Sequence, residues 1–429
     1  MAEDNKLVQE KKKKLESIRK LGIDPYPGRY DRTHSAMDIT ADPDKNMGKN
    51  VSVAGRIMTL RKMGKAAFCH IQDFTGRVQL YLKKDIVGEE GFRLLQDLDI
   101  GDVIGVKGRV FRTKTGETTV EVSGLSLLAK SVRPLPEKFH GLSDSEKRHR
   151  QRYLDLIMNP EVKERFLKKA QIIGSMRRFL EKKGFIEVET PVLQPVYGGA
   201  AAKPFTTWHN ALDMKLFLRI SNELYLKRLI VGGFEKIYEI HDDFRNEGVD
   251  TSHNPEFRMM ETMWAYADYK DNMSFVEEMF SSIAEDVLGT TRIAYQGQEI
   301  DLKPPYDRIT MVEAVKKHAG IDFSEIDDIE TAREKARALG VDIDDSMTIG
   351  YILAEICDEI VEPKLLKPTF LMDYPKDVSP LAKESKASPG YTERFELIIC
   401  GMEFGNVYSE LNDPAVLRKN WELQQEMLA

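Results

Sequence analysis

The chain has 429 residues, 41% hydrophobic and 31% charged, with a net charge of −7. At roughly 100–200 residues per domain, that length suggests two to four domains with room for sizeable cores. The charge excludes a bulk polycation, so a nucleic-acid contact must come from local basic patches.

No run reaches the roughly 18 apolar residues of a membrane span. The opening MAEDNKLVQEKKKKLES lacks the apolar centre of a secretory signal. Cys69, Cys357 and Cys400 lie far apart with no CxxC spacing. Neither a disulfide scaffold nor a cysteine-ligated zinc site is expected, and the expected compartment is the cytoplasm.

Residues 1–22 predict a charged helix with consecutive lysines from Lys11 to Lys14. Such a run reads either as a solvated helix face or as a basic arm for phosphates. Pro25-Tyr26-Pro27-Gly28 marks a linker. From 50 to 130 come VSVAGRIM, AAFCHIQD, RVQLYL, DVIGVKGRVF and TTVEVSGLSLL, short runs separated by turn residues. Their number and spacing suggest a small β-barrel of the OB type. In the second run Phe68 shares a phase with His70 and Gln72, and in the third Gln79 faces outward. An aromatic on the polar face is either a base-stacking platform or a lone surface residue.

Arg133-Pro134-Leu135-Pro136 reads as a boundary, and SDSEKRHRQRYLDLI (143–157) as a charged helix beyond it. Residues 161–183 continue as helix, with Phe166, Ile172, Ile173, Met176 and Phe179 near helical spacing and Gly184 at the end. Strands LFLRI, KIYEI, FRMMETMW, PTFLMDY, RFELIIC and MEFGNVYSEL follow, with helices YLKRLIVG, DNMSFVEEMFSSIAEDV and MTIGYILAEICDEIV among them. Adjacent strands with no helix between them argue for an α+β unit, an antiparallel sheet flanked by helices. The expected division is a basic helix and linker (1–48), the barrel (49–135) and a sheet domain (136–429) with a helical insertion around 306–368. Neither GxGxxG nor GxxxxGK[ST] occurs, so a nucleotide site would use another architecture.

Three constellations carry chemistry. Phe257, Met259, Glu261 and Met263 share a strand face, where a carboxylate is costly unless paired or awaiting a cationic ligand. In the last hairpin Phe404, Asn406, Tyr408 and Glu410 share a face. With Cys400-Gly401 as its turn, Glu396 and Glu403 fall diagonally close enough to share divalent cations, or else simply flank the turn. Arg245 at a strand end could hold a carboxylate or phosphate bidentately, or pair with a nearby acid.

Gly184-Phe-Ile-Glu-Val-Glu-Thr-Pro191 resembles motif 1 of class II aminoacyl-tRNA synthetases, and Phe244-Arg-Asn-Glu247 with His253-Asn-Pro-Glu-Phe257 resembles motif 2. The chain is most similar to the bacterial type of lysyl-tRNA synthetase, through VAGRIMTLRKMGKAAF, RPLPEKFHGL, GGAAAKPF, ELYLKRL, HNPEF, AYADY, YPKDVSPLAK and GNVYSELNDP. The resemblance implies a catalytic domain after the barrel. It implies ATP-dependent activation of L-lysine and transfer to tRNA(Lys), by positioning and charge neutralisation rather than by an enzyme nucleophile. It places Arg245 on the α-phosphate and the lysine carboxylate, and Glu247, His253, Asn254 and Phe257 on ATP. Glu396 and Glu403 would hold Mg²⁺. Gly199, Glu223, Glu261, Asn406, Tyr408 and Glu410 would line the lysine pocket, and Arg61, Phe68 and Gln79 would read the anticodon. Motif 1 would form the interface of a homodimer.

The chain departs from that pattern in three places. Met263 stands where the family usually has Tyr, and Ser252 where many relatives have Arg. No sequence matches the glycine-rich strand and arginine-bearing helix of motif 3, which the family carries beyond SELNDP. The expectation is therefore a C-terminally incomplete synthetase with a weakened ATP site. The alternative is a non-catalytic tRNA-binding module. A lysine-transferring paralogue acting on protein would lack the barrel, and an aspartyl or asparaginyl enzyme fits ELYLKRL and GGAAAKPF less well.

Overall fold

The computed structural model describes residues 6–136, 142–250 and 253–428. They divide into two compact units, Met1–Glu164 and Arg165–Ala429.

The first unit begins with α1 (Lys6–Lys20), α2 (Ala36–Thr40) and α3 (Pro43–Asn46). Strands β1 (Asn50–Met63), β2 (Ala66–Gln72) and β3 (Arg77–Lys83) lead to α4 (Lys84–Asp97), then β4 (Val103–Arg112) and β5 (Thr118–Ala129). They close a barrel in the order β1-β2-β3-β5-β4. Strict alternation makes it: Ala67, Cys69, Ile71, Val78, Leu80 and Leu82 are buried, and the residues between them point out. The lysine run of α1 is neither wholly solvated nor wholly free. Lys11 donates to the Ile100 carbonyl at 2.9 Å, and Lys14 pairs with Asp99. Both tie the helix to the barrel.

The charged segment after the boundary is two helices, α5 (Ser145–Arg150) and α6 (Arg152–Met158), rather than the single helix expected. Gln151 breaks it at φ −119°, ψ 56°, and the buried Asp155 carboxylate binds both Arg148 and Arg152 across the break. In α7 (Pro160–Lys182) only the C-terminal part of the apolar stripe enters a core. Phe179 and Leu180 are buried, while Phe166 and Ile172 are exposed.

The second unit holds β6 (Ile186–Glu187), β7 (Leu193–Gln194), β8 (Thr206–His209), β9 (Met214–Leu218), α8 (Glu223–Val231), β10 (Lys236–Phe244), β11 (Glu256–Trp264) and α9 (Tyr269–Leu288). Hairpin β12 (Arg292–Tyr295) and β13 (Gln298–Asp301) precedes β14 (Asp307–Thr310), α10 (Met311–Ala319), α11 (Ile329–Ala338) and α12 (Ile349–Ile356). Then come β15 (Thr369–Met372), β16 (Arg394–Ile399), β17 (Met402–Tyr408) and α13 (Pro414–Leu428). The larger sheets run β11-β10-β6, β7-β9-β8 and β14-β15-β16-β17. Pairing is antiparallel as expected, except that β6 runs parallel to β10 and β14 to β15. Tyr238, Phe395, Leu397 and Ile399 send one face of these strands into a core with α7 and α9. On β16 the opposite face, with Ile398, meets a second core built by α10, α11 and α12. The polar residues on that side define the site.

Candidate active site

In the β10-β11 hairpin Glu239 lies opposite Glu261, His241 opposite Met259, and Asp243 opposite Phe257. One strand face therefore carries Glu239, His241, Asp243 and Glu261 together. Glu239 is fully engaged: it accepts from Thr190 Oγ1 (2.7 Å), Asn222 Nδ2 (2.7 Å) and Arg219 Nη1 (2.8 Å). This buried network fixes the Arg219–Asn222 loop that leads into α8. Asn222 Nδ2 also donates to His241 Nδ1 (3.0 Å), which turns His241 Nε2 towards Asp243 Oδ2 at 3.1 Å.

Glu261 is different. His241 Nε2 lies 3.6 Å from its buried Oε2, which accepts no hydrogen bond, while the Asn222 backbone N–H donates to the carboxyl group. Burial, reinforced by the charges of Glu223 and Asp243, pushes its pKa up to about 8. Of the two sequence readings, a structural ion pair with Lys or Arg is not formed among the described residues, and His241 at 3.6 Å is the basic group closest to it. Ligand atoms of His241, Asp243 and Glu261 lie within 4.8 Å of one another, but Arg219 Nε already stands 3.6 Å from Asp243. The phase argument applied to β11 also finds His241 and Asp243 when run along YEIHDDF.

Beside this face, Glu223 opens α8 and its Oε1 accepts from the Tyr408 hydroxyl at 2.8 Å. Lys227, which sequence reasoning missed although it stands one helical turn after Glu223, bridges Glu223 and Glu410. Gly199 has φ +91°, and a Cβ there would lie 2.9 Å from Ser221 Oγ and 3.1 Å from Glu223 Cβ. Only glycine lets this loop lie against the pocket. Met263 sits opposite Ile237 on the Glu261 face.

Arg245 follows β10. Its Nε donates to the Ile220 carbonyl (3.3 Å), its guanidinium lies 5.1 Å from the Phe257 ring centroid, and it forms no ion pair among the described residues. The alternative of a neighbouring acid partner is not realised. Glu247 Oε1 accepts from the Lys203 N–H at 3.2 Å, which joins the motif 2 loop to the segment after Gly199. His253 and Asn254 are exposed, with His253 Nδ1 2.8 Å from Asp250. Ser252 lies outside the described residues.

The β16-β17 hairpin turns at Cys400 (φ +54°) and Gly401 (φ +70°), where expected. A bulge shifts the register at Leu397/Ile398. It leaves Glu396 opposite Asn406 and Glu403 opposite Ile398, so the two glutamates share a face. The bulge also corrects one expectation: Phe404 leaves the Asn406 face and packs edge-on against Phe280 of α9 at 6.0 Å. Arg394 donates to Glu396 Oε1 (2.5 Å) and Asn406 Oδ1 (3.0 Å). Burial and the nearby Glu396 charge raise Glu403 to about 7. Burial likewise raises Asp358 to about 6 and Glu362 to about 8, each with Glu396 among its repelling neighbours. Both were missed by sequence reasoning, since only the tertiary fold brings the turn after α12 against β16. A separate cavity of about 480 Å³, lined by Phe323, Ile349, Leu353 and Tyr391 among others, touches none of these residues.

On the barrel, Arg61 pairs in register with Phe68, and Phe68 with Tyr81. The rings form a ladder, Phe68–Tyr81 at 4.8 Å and Tyr81–Phe111 at 6.2 Å, so Phe68 is not a lone aromatic. Gln79 Nε2 donates to Glu117 Oε2 (2.5 Å), whose other oxygen lies 2.8 Å from His70 Nε2.

A closed five-stranded barrel with an aromatic outer wall, and a largely antiparallel sheet bearing an open arginine among carboxylates, are the parts of a class II aminoacyl-tRNA synthetase. Family models agree: residues 51–135 match the OB-fold nucleic acid binding domain, and residues 144–427 match tRNA synthetases class II (D, K and N). The chain belongs to this class II family. It is 52% identical to a lysine–tRNA ligase of Carboxydothermus hydrogenoformans over 99% of this chain and 87% of the relative. Identity to that of Pelotomaculum thermopropionicum is 54%, over 96% of this chain and 81% of the relative. Identity to that of Bacillus subtilis is 49%, over 98% and 86%.

Proposed function

We propose that the chain is a lysine–tRNA ligase, activating L-lysine with ATP and transferring it to tRNA(Lys). The observation that carries the amino-acid choice is Glu261: a carboxylate whose buried Oε2 accepts no hydrogen bond, with the charges of Glu223 and Asp243 beside it. An amino acid with a cationic side chain answers that need, and a neutral one leaves the carboxylate desolvated and unpaired.

In this reading Arg245, free of acid partners, takes the lysine carboxylate and the α-phosphate and holds attacking oxygen and phosphorus together. It then stabilises the charge that develops as pyrophosphate leaves. Adenine lies on Phe257, with Glu247, His253 and Asn254 along the loop. Asn406 and Tyr408 complete the lysine wall, and Gly199 lets the covering loop close. The crowded carboxylates around Glu396 fit a divalent cation, because burial and then repulsion from Glu396 raise Glu403 to about 7, and a hard cation relieves the repulsion. Glu396 and Glu403 would hold Mg²⁺, which neutralises phosphate charge when bound. Arg61, Phe68 and Gln79 read the anticodon on the barrel wall.

The exposed Ile186, Val192 and Leu193 around motif 1, with Phe166 and Ile172, support an isologous homodimer. A cytoplasmic location follows from the activity, and no described helix is long and apolar enough to cross a membrane. Lysine-dependent exchange of pyrophosphate into ATP tests the reading. Exchange that requires lysine supports it, and exchange driven equally by aspartate or asparagine refutes it.

A further inference from the structure

The Lys227 ammonium lies 2.5 Å from Glu223 Oε1 and 2.8 Å from Glu410 Oε2, with the Tyr408 ring centroid 5.8 Å away. The Tyr408 hydroxyl donates to the same Glu223 Oε1 at 2.8 Å. Each carboxylate thus has one oxygen held by the protein. Among the described residues, no hydrogen bond reaches Glu223 Oε2 or Glu410 Oε1. Glu410 lies beyond the end of β17, where an isolated bridge to Ala382 is its backbone pairing. Its carboxylate therefore depends on Lys227 for its place.

We propose that Lys227 is a positioning residue for the amino-acid substrate: it ties Glu223 to Glu410, so that the open oxygen of each is offered to an ammonium group of the incoming lysine. This rests on the lysine reading of the pocket. The charge count supports it. Two carboxylates with one resident cation carry one surplus negative charge, which a single substrate ammonium neutralises. Without Lys227 two like charges face each other, and either Glu410 swings away or one carboxylate takes a proton. Burial opposes the Lys227 charge, yet Glu223 and Glu410 hold its pKa above the ordinary lysine value, so the clamp stays charged at neutral pH.

The test is calorimetric titration of lysine and, separately, of ATP into the full chain and its Lys227→Met variant. Lysine affinity is expected to fall about tenfold or more, with ATP affinity unchanged. Glu410→Gln alone is expected to weaken lysine by a similar factor, and in the Lys227→Met background by less than about twofold, because the two residues act as one unit. Additive losses overturn the proposal. So does unchanged lysine affinity in a folded Lys227→Met chain. Tighter lysine binding overturns it as well, since the resident ammonium would then be a competitor. Should Lys227→Met fail to melt cooperatively, Lys227→Gln takes its place with the same expected loss. If the wild-type chain itself binds no lysine, the lysine reading fails together with the proposal. If it binds and the variants match it, only the clamp fails.

Discussion

Glu261 gives the sharpest linkage between structure and function. Its pKa stands at about 8 against an ordinary 4.5, chiefly through burial and then through Glu223 and Asp243. At ~1.4 kcal/mol per tenfold, ionising it in this pocket costs roughly 5 kcal/mol at most. Its side chain keeps 19% of its surface exposed, so solvent reduces that figure. At pH 7 the carboxyl is then about 90% protonated, and a bound ammonium must displace that proton. Lysine binding at pH 7 should release about 0.9 proton, and affinity should rise nearly tenfold per pH unit up to about 8, then level off. Titration in two buffers of different ionisation enthalpy measures the proton count directly. The Glu261→Gln variant should bind lysine weakly and release none. The sign for stability follows from the same raised value. Between about 4.5 and 8 the unfolded chain gives up a proton that the fold retains, so the carboxyl lowers stability as pH rises through that window. Glu261→Gln removes this slope. Proton uptake, or release that persists in Glu261→Gln, would refute the reasoning.

Phe68→Ala should weaken tRNA(Lys) binding about tenfold or more at matched salt without unfolding the barrel, since a stacked base is worth roughly 1–3 kcal/mol. Equal affinities in filter binding would sink the stacking role. Arg219→Met should destabilise the second unit by roughly 3–5 kcal/mol, because it strands the buried Glu239 and Asp243 carboxylates. A urea midpoint equal to wild type would contradict this. Sedimentation at micromolar concentration should give twice the chain mass, and a monomer would rule out the interface proposed around motif 1.

Much of the molecule was legible in residue order. The barrel strands alternate so regularly that period alone separates the buried Leu80 and Leu82 from the outward Gln79 and Tyr81. The β11 phase placed Glu261 on one face with Phe257, Met259 and Met263, and the Cys400-Gly401 pair placed the last turn. Local rules reached these because strand phase and turn conformation depend on neighbours in sequence. Other features belong to the tertiary structure. The bulge at Leu397/Ile398 moved Phe404 to the far face, since one extra residue reverses strand phase and nothing in MEFGNVY announces it. Asp155 pairs with Arg148 and Arg152 on either side of a break at Gln151, which the charge pattern does not announce. The burial of Glu261 beside Glu223 and Asp243, the Lys227 bridge and the crowding of Asp358 and Glu362 on Glu396 depend on which distant segments meet. The sequence determined which groups can ionise. Packing decided how much water each keeps and which charges face it, and that sets the proton balance of the pocket.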